Sequence, residues 1–485
     1  MQRMVLDADA AYLAVKARDA RFDGRLFVGV TSTGVYCRPV CRVRVPRREN
    51  CRFFETRAQA EAAAFRPCLK CRPEIAPGLS AMDSSQQLAA VAARQIAHAV
   101  HAGEALALPA LAARLGVSDR HLRRIFQAAH GVSPHAYLDT QRLLLAKQLL
   151  TDTALPVTEV ALASGFSSLR RFNAAFAERY RLAPTGLRKA RSAARTPSAP
   201  LRLAYRPPYD HEALLAFFAA RQLGGVEAVD GLELRRTLGW THEGKRLHGW
   251  IACRFMPARN EVHVQTAAAL APVLGAVLQA VRQALDLDAE PSRIDPVLAT
   301  VPGPPRAGTR LPGAFDGFEL AVRVILGQQV TVKAARTLTG RLVARFGTPV
   351  RTPWPELDRV FPDAPTLAAA SAGAIGELGI VRQRVRALQA LAAEVAAGRL
   401  ALHRAAALDE TLAALRALPG VGEWTAQLIA MRALAWPDAW PAADIGLMNA
   451  LGTRDPRQVA ACAEAWRPWR AYAVMKLWHL QESPL

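Results

Sequence analysis

Apolar and polar positions follow three different patterns along this chain. Apolar residues recur at helical spacing from 85 to 190, whereas 201–287 contains short strand-like runs, such as 250–255, before a helix. Helical spacing returns after a loop rich in proline and glycine at 301–313 and continues to the C-terminus. The pattern predicts a multidomain α+β protein in which an all-α segment is followed by strands with a helix and then by a second all-α segment.

The first helical segment contains an internal repeat. Each copy reads as a helix, a turn at Gly116 or Gly165, a serine cap and a second helix. A helix at 136–150 joins the copies, so two recognition helices could enter successive major grooves. Exposed arginines are the candidates for base or phosphate contacts, unless they form ordinary solvated faces: Arg120, Arg123, Arg124, Arg170 and Arg171.

The second helical segment contains a glycine turn, LPGVG, at 418–422. Its glycines, Gly420 and Gly422, expose backbone N–H groups to which a phosphate can come close. With a preceding helix at 408–417 the turn forms a candidate helix–hairpin–helix that grips a DNA backbone, although a plain helix–helix turn is the alternative. Asp444 follows, directly before another apolar helical run. It is either a helix N-cap or a functional carboxylate.

Four of the seven cysteines cluster near the N-terminus at metal-ligand spacings. Cys37 and Cys41 form one pair, and Cys68 and Cys71 form the other, which suits four thiolates around one Zn2+. A purely structural zinc knuckle is the alternative. The surrounding basic residues favour contact with DNA phosphates: Arg38, Arg42, Arg44, Arg47, Arg48, Arg52, Arg66, Lys70 and Arg72. Cys51 lies outside both pairs and is expected to pack in a strand.

Length and charge narrow the class of partner. The chain of 485 residues should hold about three domains, and its net charge of +21 implies a polyanionic partner. The N-terminus lacks a signal-peptide core, and the longest uncharged apolar stretch, 264–281, is interrupted by polar residues. We therefore expect a cytoplasmic monomer that binds double-stranded DNA and no membrane.

The N-terminal segments resemble two known families. TSTGVYCRPVCRVRVPRRENCRFF and FRPCLKC resemble the zinc domain of Ada-type alkylation-response proteins. This implies that Cys37 is both a zinc ligand and the nucleophile that takes a methyl group from a methylphosphotriester. Thr33, Arg44 and Arg66 are phosphate contacts by the same match. Methylation removes one negative charge from the thiolate cluster and so strengthens DNA binding.

The repeat resembles the AraC-type activator domain, with GFSSLRRFNAAFAERYRLAPTGLRK matching its second half. That resemblance implies a transcriptional activator with RNA polymerase as a partner. No P-C-H-R motif occurs in the chain, so repair of O6-alkylguanine is not predicted.

GEWTAQLIAMRAL and EAWRPWRAYAVMKLWHL resemble the AlkA-type 3-methyladenine glycosylases of the helix–hairpin–helix superfamily. The match makes Asp444 the catalytic carboxylate and implies no cofactor for base removal. Members that also cut the DNA backbone carry a lysine at the place of Trp424, so a monofunctional enzyme is predicted.

The same resemblance implies a wedge and a base pocket. Gln328 and Gln329 follow the first core helix, in the loop that enters the minor groove, and Gln329 replaces the usual leucine wedge. Leu428 stands where an aromatic residue often lines the pocket. The candidates for the pocket, for each of which core packing is the alternative, are Trp424, Leu428, Trp466, Trp469 and Tyr472.

Together with the patterns, the resemblances imply a small zinc-bound α/β domain of Ada type at 1–75, an all-α AraC-like domain at 85–190, a linker at 191–200, an AlkA-like antiparallel-sheet subdomain at 201–300 and an all-α helix–hairpin–helix glycosylase domain at 301–485. The chain is interpreted as an alkylation-damage response protein that combines methyl transfer, activation and base excision. One alternative is a methylation-responsive transcription factor whose C-terminal half only binds DNA. Another is a zinc-stabilised architectural DNA-binding protein.

Overall fold

The computed structural model describes residues 7–18, 22–23, 26–74, 81–103, 106–152, 155–189, 200–242 and 244–482. All but the last residue of the expected linker at 191–200 lies outside the described residues. The chain forms two compact units, the first made of residues 1–96 and 106–138 and the second of residues 97–105 and 139–485.

The first unit contains a small sheet with flanking helices. Its elements are α1 (Ala8–Lys16), β1 (Phe27–Val30), β2 (Val35–Cys37), β3 (Cys51–Phe54), α2 (Arg57–Ala62) and β4 (Arg66–Pro67), with strand order β3-β1-β2-β4. Strand β1 is antiparallel to both neighbours, whereas β4 runs parallel to β2, with Tyr36 opposite Pro67. Because parallel strands end at the same edge, Cys37 and Cys68 come together there.

The helical repeat has the predicted elements. They are α3 (Ala81–Ala102), α4 (Leu108–Arg114), α5 (Asp119–His130), α6 (Pro134–Asp152), α7 (Val157–Ala163), α8 (Leu169–Tyr180) and α9 (Pro184–Lys189). Ser118 caps α5 and Ser168 caps α8, each by accepting from the backbone N–H three residues on. The buried faces are apolar, with Phe126 in α5 and Phe172 in α8 fully buried. The predicted internal repeat is thus present at the level of single elements.

An antiparallel sheet opens the C-terminal part of the second unit, as predicted. Its elements are β5 (Leu201–Ala204), α10 (His211–Arg221), β6 (Glu227–Asp230), β7 (Glu233–His242), β8 (Lys245–Met256), β9 (Glu261–Thr266), α11 (Leu274–Ala284) and α12 (Pro291–Leu298). The strand order is β5-β9-β8-β7-β6, with every neighbouring pair antiparallel. The apolar stretch at 264–281 is a strand end followed by a helix. No described helix is long and apolar enough to span a bilayer.

The remainder is mostly helical and carries the candidate site. Its elements are α13 (Gly317–Leu326), α14 (Val332–Phe346), β10 (Thr348–Pro349), β11 (Arg359–Val360), α15 (Ala364–Ala369), α16 (Ala372–Gly376), α17 (Arg382–Ala396), α18 (Leu408–Ala417), α19 (Glu423–Arg432), α20 (Ile445–Ala450), α21 (Pro456–Cys462) and α22 (Arg470–Glu482). Helix α13 is buried on almost every side and lies in one continuous apolar core with α17, α19 and α22. The predicted fold class is confirmed.

Buried ion pairs join the sheet to α13. Arg236 of β7 contacts Glu227 of β6 at 3.2 Å and Glu319 of α13 at 2.6 Å. Arg323 of α13 reaches back to Glu227 at 2.8 Å. Breaking a buried pair by removing one partner costs about 3–5 kcal/mol, because the other charge is left without compensation. The sheet and the helices that follow it therefore form one structural body.

Candidate functional site

The glycine turn forms a helix–hairpin–helix between α18 and α19. Gly420 has φ +76°, a left-handed conformation that glycine adopts without a Cβ clash. Gly422 is the exposed N-cap of α19 and provides no side chain to accept from the first amides of that helix. Those amides are consequently available to an anion such as a DNA phosphate.

Asp444 accepts three hydrogen bonds at the start of α20. Its Oδ1 accepts from the backbone N–H of Leu447 at 3.1 Å and from Nε1 of Trp478 at 2.9 Å. Its Oδ2 accepts from Nε1 of Trp424 at 2.9 Å. The N-cap role is present, but a cap alone does not require two indole donors. Together the three donors fix the carboxylate in one orientation.

The carboxylate lies just below the surface. Asp444 is 7% exposed, and its chain neighbours Ala443 and Ile445 are both exposed. Trp424 and Trp478 are half-buried. A cavity of about 380 Å³ lies elsewhere, bordered by β7, α11 and the start of α13, and its lining includes Asp316 and His403 rather than Asp444. The carboxylate is therefore buried, but it lies between two exposed positions of the chain.

Trp478 was not selected from the sequence, although it lies in the same segment as three residues that were. Its ring is parallel to that of Phe217, with a centroid distance of 6.4 Å and an interplanar angle of 7°. Phe217 belongs to α10, far away in sequence. Trp478 is the one tryptophan of α22, and the only local signal was that the segment 464–480 contains two more, Trp466 and Trp469.

The other base-pocket candidates make different contacts. Trp466 is buried and packs edge-on against Trp440, and Leu428 is buried within α19. Half-buried Trp469 packs edge-on against Tyr472. The hydroxyl of Tyr472 donates to half-buried Asp286 at 2.9 Å, and burial raises the pKa of Tyr472. Among the five candidates, Trp424 is the one that contacts Asp444 through a hydrogen bond.

The predicted wedge is exposed. Gln329 has φ +53° and lies in the short loop between α13 and α14. The side chain of Gln328 instead turns back toward the hairpin, where its amide donates to the carbonyl of Gly420 at 2.9 Å. Of the two glutamines, Gln329 is thus exposed and Gln328 is hydrogen-bonded to the hairpin.

The four predicted cysteine ligands converge in the first unit. Ligand atoms of Cys37, Cys41, Cys68 and Cys71 lie within 4.8 Å of one another, and all four residues are buried. Hydrogen bonds to Cys41 and Cys71, together with burial, raise the pKa of Cys37 when no cation is present. Four closely spaced sulfur donors suit tetrahedral Zn2+, which holds such thiols deprotonated. Cys51 is also buried, but its Sγ donates to the Arg47 carbonyl at 3.2 Å.

The basic rim of this cluster is mostly exposed. Arg44, Arg66 and Thr33 face solvent. Arg38 differs, because it is 1% exposed and its guanidinium donates to Asp23. Arg38 therefore supports the loop after Cys37 from inside the domain.

All five candidate arginines of the helical repeat are exposed. Arg120 lies in the first turn of α5, where Arg123 pairs with Asp119 at 2.8 Å and Arg124 contacts His121 at 3.1 Å. In the second repeat, Arg170 and Arg171 occupy the first turn of α8. The N-terminal turns of both second helices thus present positive charge, as a recognition helix requires.

Four family profiles match successive parts of the chain. The matches are "Metal binding domain of Ada" at residues 10–74, "Helix-turn-helix domain" at 111–190, "AlkA N-terminal domain" at 200–316 and "HhH-GPD superfamily base excision DNA repair protein" at 322–456. A Mycobacterium tuberculosis protein described as "Probable bifunctional transcriptional activator/DNA repair enzyme AlkA" is 39% identical, over 99% of this chain and 97% of its own. The chain belongs to this AlkA family of activator and repair proteins. The family membership that the sequence motifs indicated is confirmed.

Two Escherichia coli proteins are similar to parts of this AlkA-family chain. DNA-3-methyladenine glycosylase 2 of Escherichia coli is 33% identical, over 58% of this chain and 96% of its own length. The E. coli protein described as "Bifunctional transcriptional activator/DNA repair enzyme Ada" is 33% identical, over 33% of this chain and 43% of its own. The AlkA-family chain therefore combines a zinc-binding Ada domain, a helix-turn-helix activator domain and a DNA glycosylase domain.

Proposed function

We propose that the C-terminal half hydrolyses the N-glycosidic bond of alkylated purines such as 3-methyladenine in double-stranded DNA and leaves the strand uncut. The orientation of the Asp444 carboxylate by two indoles, close to the hairpin, carries this proposal. The hairpin amides bind the backbone, and Gln329 occupies the gap left by the everted base.

The reaction needs few groups. An alkylated purine is cationic, so it leaves as a neutral base that takes the electron pair of the broken C1′–N bond, without a general acid. The sugar develops oxocarbenium charge, which the Asp444 carboxylate stabilises. Water then attacks C1′ and passes its proton to the carboxylate. The rings of Trp424 and Trp478 attract the cationic base by about 0.5–2 kcal/mol each.

Among the described residues, the two side chains that donate to Asp444 are indoles, which supply no amine for strand cleavage. Trp424 stands where a lyase would carry lysine, and its indole is already bound to Asp444. Lys476, on α22, is buried and donates to the carbonyls of Leu298 and Val301, both at 2.9 Å. We therefore expect a monofunctional enzyme that requires no cofactor for base removal.

The N-terminal domain is proposed to record phosphate methylation. One Zn2+ held by Cys37, Cys41, Cys68 and Cys71 would keep these sulfurs as thiolates. The Cys37 sulfur bonds to the methyl carbon of a methylphosphotriester, and the phosphate oxygen keeps the electron pair of the broken bond. Thr33, Arg44 and Arg66 contact neighbouring phosphates. The loss of negative charge strengthens DNA binding, so that the two recognition helices activate transcription with RNA polymerase.

Two measurements on the full chain test these roles. Incubation with alkylated duplex DNA should release 3-methyladenine and leave abasic sites that break only in hot alkali, and borohydride should trap no covalent complex. Mass spectrometry should find one added methyl group on Cys37 after exposure to methylphosphotriester DNA. DNA binding without base release would instead favour a regulator whose C-terminal half only grips DNA. The cytoplasmic location and monomeric state remain part of this proposal.

A further inference from the structure

Gln328 connects the wedge loop to the hairpin and to the helix α19 that follows the hairpin. Its two amide hydrogens are both used, since Nε2 donates to the Gly420 carbonyl at 2.9 Å and to Oγ1 of Thr425 at 2.8 Å. An amide rotated by half a turn would place its oxygen against the Gly420 carbonyl, so the orientation is determined. The wedge loop and the hairpin are thereby joined across 92 positions of the chain.

Helix α17 contacts both the wedge loop and the hairpin. Arg384 donates to the backbone carbonyl of Gln328. A Cβ built on Gly420 would lie 3.6 Å from Cβ of Ala387 and 3.7 Å from Cγ of Gln383, which is ordinary contact distance. The wedge loop and the hairpin therefore both pack on α17, and the Gln328 side chain joins them directly to each other.

The same contact leads to the catalytic carboxylate. Thr425, which accepts from Gln328, is 2% exposed and follows Trp424 directly in α19. Trp424 in turn donates to Asp444. On the other side, Gln329 is held exposed in a left-handed conformation, which persists only where the surroundings determine it.

We propose that Gln328 is a positioning residue that fixes the height of the Gln329 wedge relative to the hairpin and Asp444, so that base eversion and sugar chemistry occur in register. The proposal rests on the glycosylase function proposed above. It predicts that Gln328 matters only when a base pair must be opened, because a wedge has no task when the opposite base is missing.

Single-turnover release of 7-methylguanine measures this dependence. We expect Gln328→Ala to slow release by about tenfold or more when the damaged base is paired with cytosine, since small misplacements of reacting groups are costly. Opposite an abasic analogue, the same variant should lose less than about threefold. Gln328→Glu, which keeps the shape but loses the amide donor, should behave like Gln328→Ala.

Gln389→Ala is the matched control. Gln389 also donates from Nε2 to a backbone carbonyl, that of Ala370 at 3.0 Å, and joins α17 to the end of α15 rather than to the hairpin. Its loss should leave the ratio of the two release rates unchanged. Equal slowing of Gln328→Ala on both duplexes with a lowered Tm indicates a structural role only and overturns the proposal.

A second readout does not require chemistry. In an Asp444→Asn background, 2-aminopurine placed beside 7-methylguanine should brighten at saturating protein as the damaged base leaves the stack. Adding Gln328→Ala should reduce this rise to less than about half. An undiminished rise overturns the positioning role. A rise that depends on Gln328 in a protein whose wild type releases no base supports the positioning role and refutes the proposed reaction.

Discussion

Nε1 of Trp478 lies 2.9 Å from Oδ1 of Asp444, although the two residues are 34 positions apart. Gly446 makes this approach possible, because a Cβ there would lie 3.0 Å from Oδ1 of Asp444 and 3.1 Å from Cδ1 of Trp478. The C-terminal helix therefore contributes directly to the geometry of the carboxylate. Its contribution can be separated from that of the ring by substitution.

Trp478→Phe should retain an aromatic ring but lose the donor to Asp444. A hydrogen bond to a charged group contributes about 1.5–3 kcal/mol, so we expect kcat for base release to fall by roughly 10- to 100-fold. KM should change little, since phenylalanine keeps the ring that is proposed to attract the cationic base. Steady-state release of 3-methyladenine from methylated duplex DNA measures both constants.

Trp440→Phe is the corresponding control. Nε1 of Trp440 is buried without a hydrogen-bond partner among the described residues, so its removal breaks no bond. Both variants lose the same part of an indole ring. A kcat that falls equally in the two variants would show that packing, not the Asp444 contact, accounts for the loss.

Asp444→Asn should fold and bind DNA but release base at least about 100-fold more slowly, because the developing sugar cation loses its counter-charge. Asparagine is as good an N-cap as aspartate, so the start of α20 should remain stable. Single-turnover release and thermal unfolding measure the two effects.

Asp455→Asn provides the matched comparison on the next helix. Asp455 caps α21 by accepting from the backbone N–H of Arg457 at 2.9 Å and is exposed. This variant should release base at the wild-type rate. If Asp444→Asn did so too, Asp444 would have no part in the reaction.

Cys37→Ser should abolish methyl uptake, because a serine hydroxyl is a much poorer nucleophile than a thiolate and a weaker zinc ligand. Mass spectrometry after exposure to methylphosphotriester DNA and metal analysis of the purified chain check these expectations. Strong chelators should unfold the N-terminal domain, since zinc binding contributes to its folding free energy.

Cys51→Ser should leave methyl uptake and zinc content unchanged. Cys51 is buried like the four ligands, but its Sγ is bound to the Arg47 carbonyl. Methyl uptake that survives in Cys37→Ser and disappears in Cys51→Ser would reassign the acceptor.

The pH dependence of stability should reveal Asp286. Burial raises the pKa of Asp286 from 3.8 to about 6, although its Oδ2 accepts from Leu311 and Tyr472. Between about pH 4 and pH 6 the folded chain therefore holds a proton that the unfolded chain has lost. As the pH rises from about 4 to 6, the free energy of unfolding should fall by about 3 kcal/mol, since each pKa unit corresponds to about 1.4 kcal/mol.

Asp286→Asn should remove this slope. Asparagine tolerates the left-handed conformation found here, with φ +50°. Urea unfolding followed by tryptophan fluorescence reports on the relevant half, because all nine tryptophans lie at or beyond residue 240. Parallel curves for wild type and variant from pH 4 to pH 6 would contradict the assignment.

Features formed by neighbouring residues were predictable from the sequence. The hairpin helices begin and end where periodicity and glycine placement indicated, since α18 spans Leu408–Ala417 and α19 starts at Glu423. The hairpin depends on interactions between residues that are close in sequence. The cysteine cluster was predictable because two short Cys spacings supply the four sulfur ligands that tetrahedral zinc requires.

Long-range contacts were not predictable in the same way. The partners of Gln328 and Tyr472 lie 92 and 186 positions away, and no local pattern indicates such a pairing. Arg38 shows the converse, because its position beside Cys37 suggested the surface while the fold pairs it with Asp23 inside. Side-chain direction at such positions is decided by tertiary packing rather than by local preference.

The ion pairs of Arg236 with Glu227 and Glu319 limit how the repair half could have been acquired. A shorter fragment beginning at α13 would leave Glu319 beside Arg323 without Arg236, and would uncover the apolar side of α13. The structure therefore favours transfer of this half by gene fusion as a cassette that includes the strands. We expect a natural relative that lacks those strands to carry other residues in place of the buried charges Glu319 and Arg323.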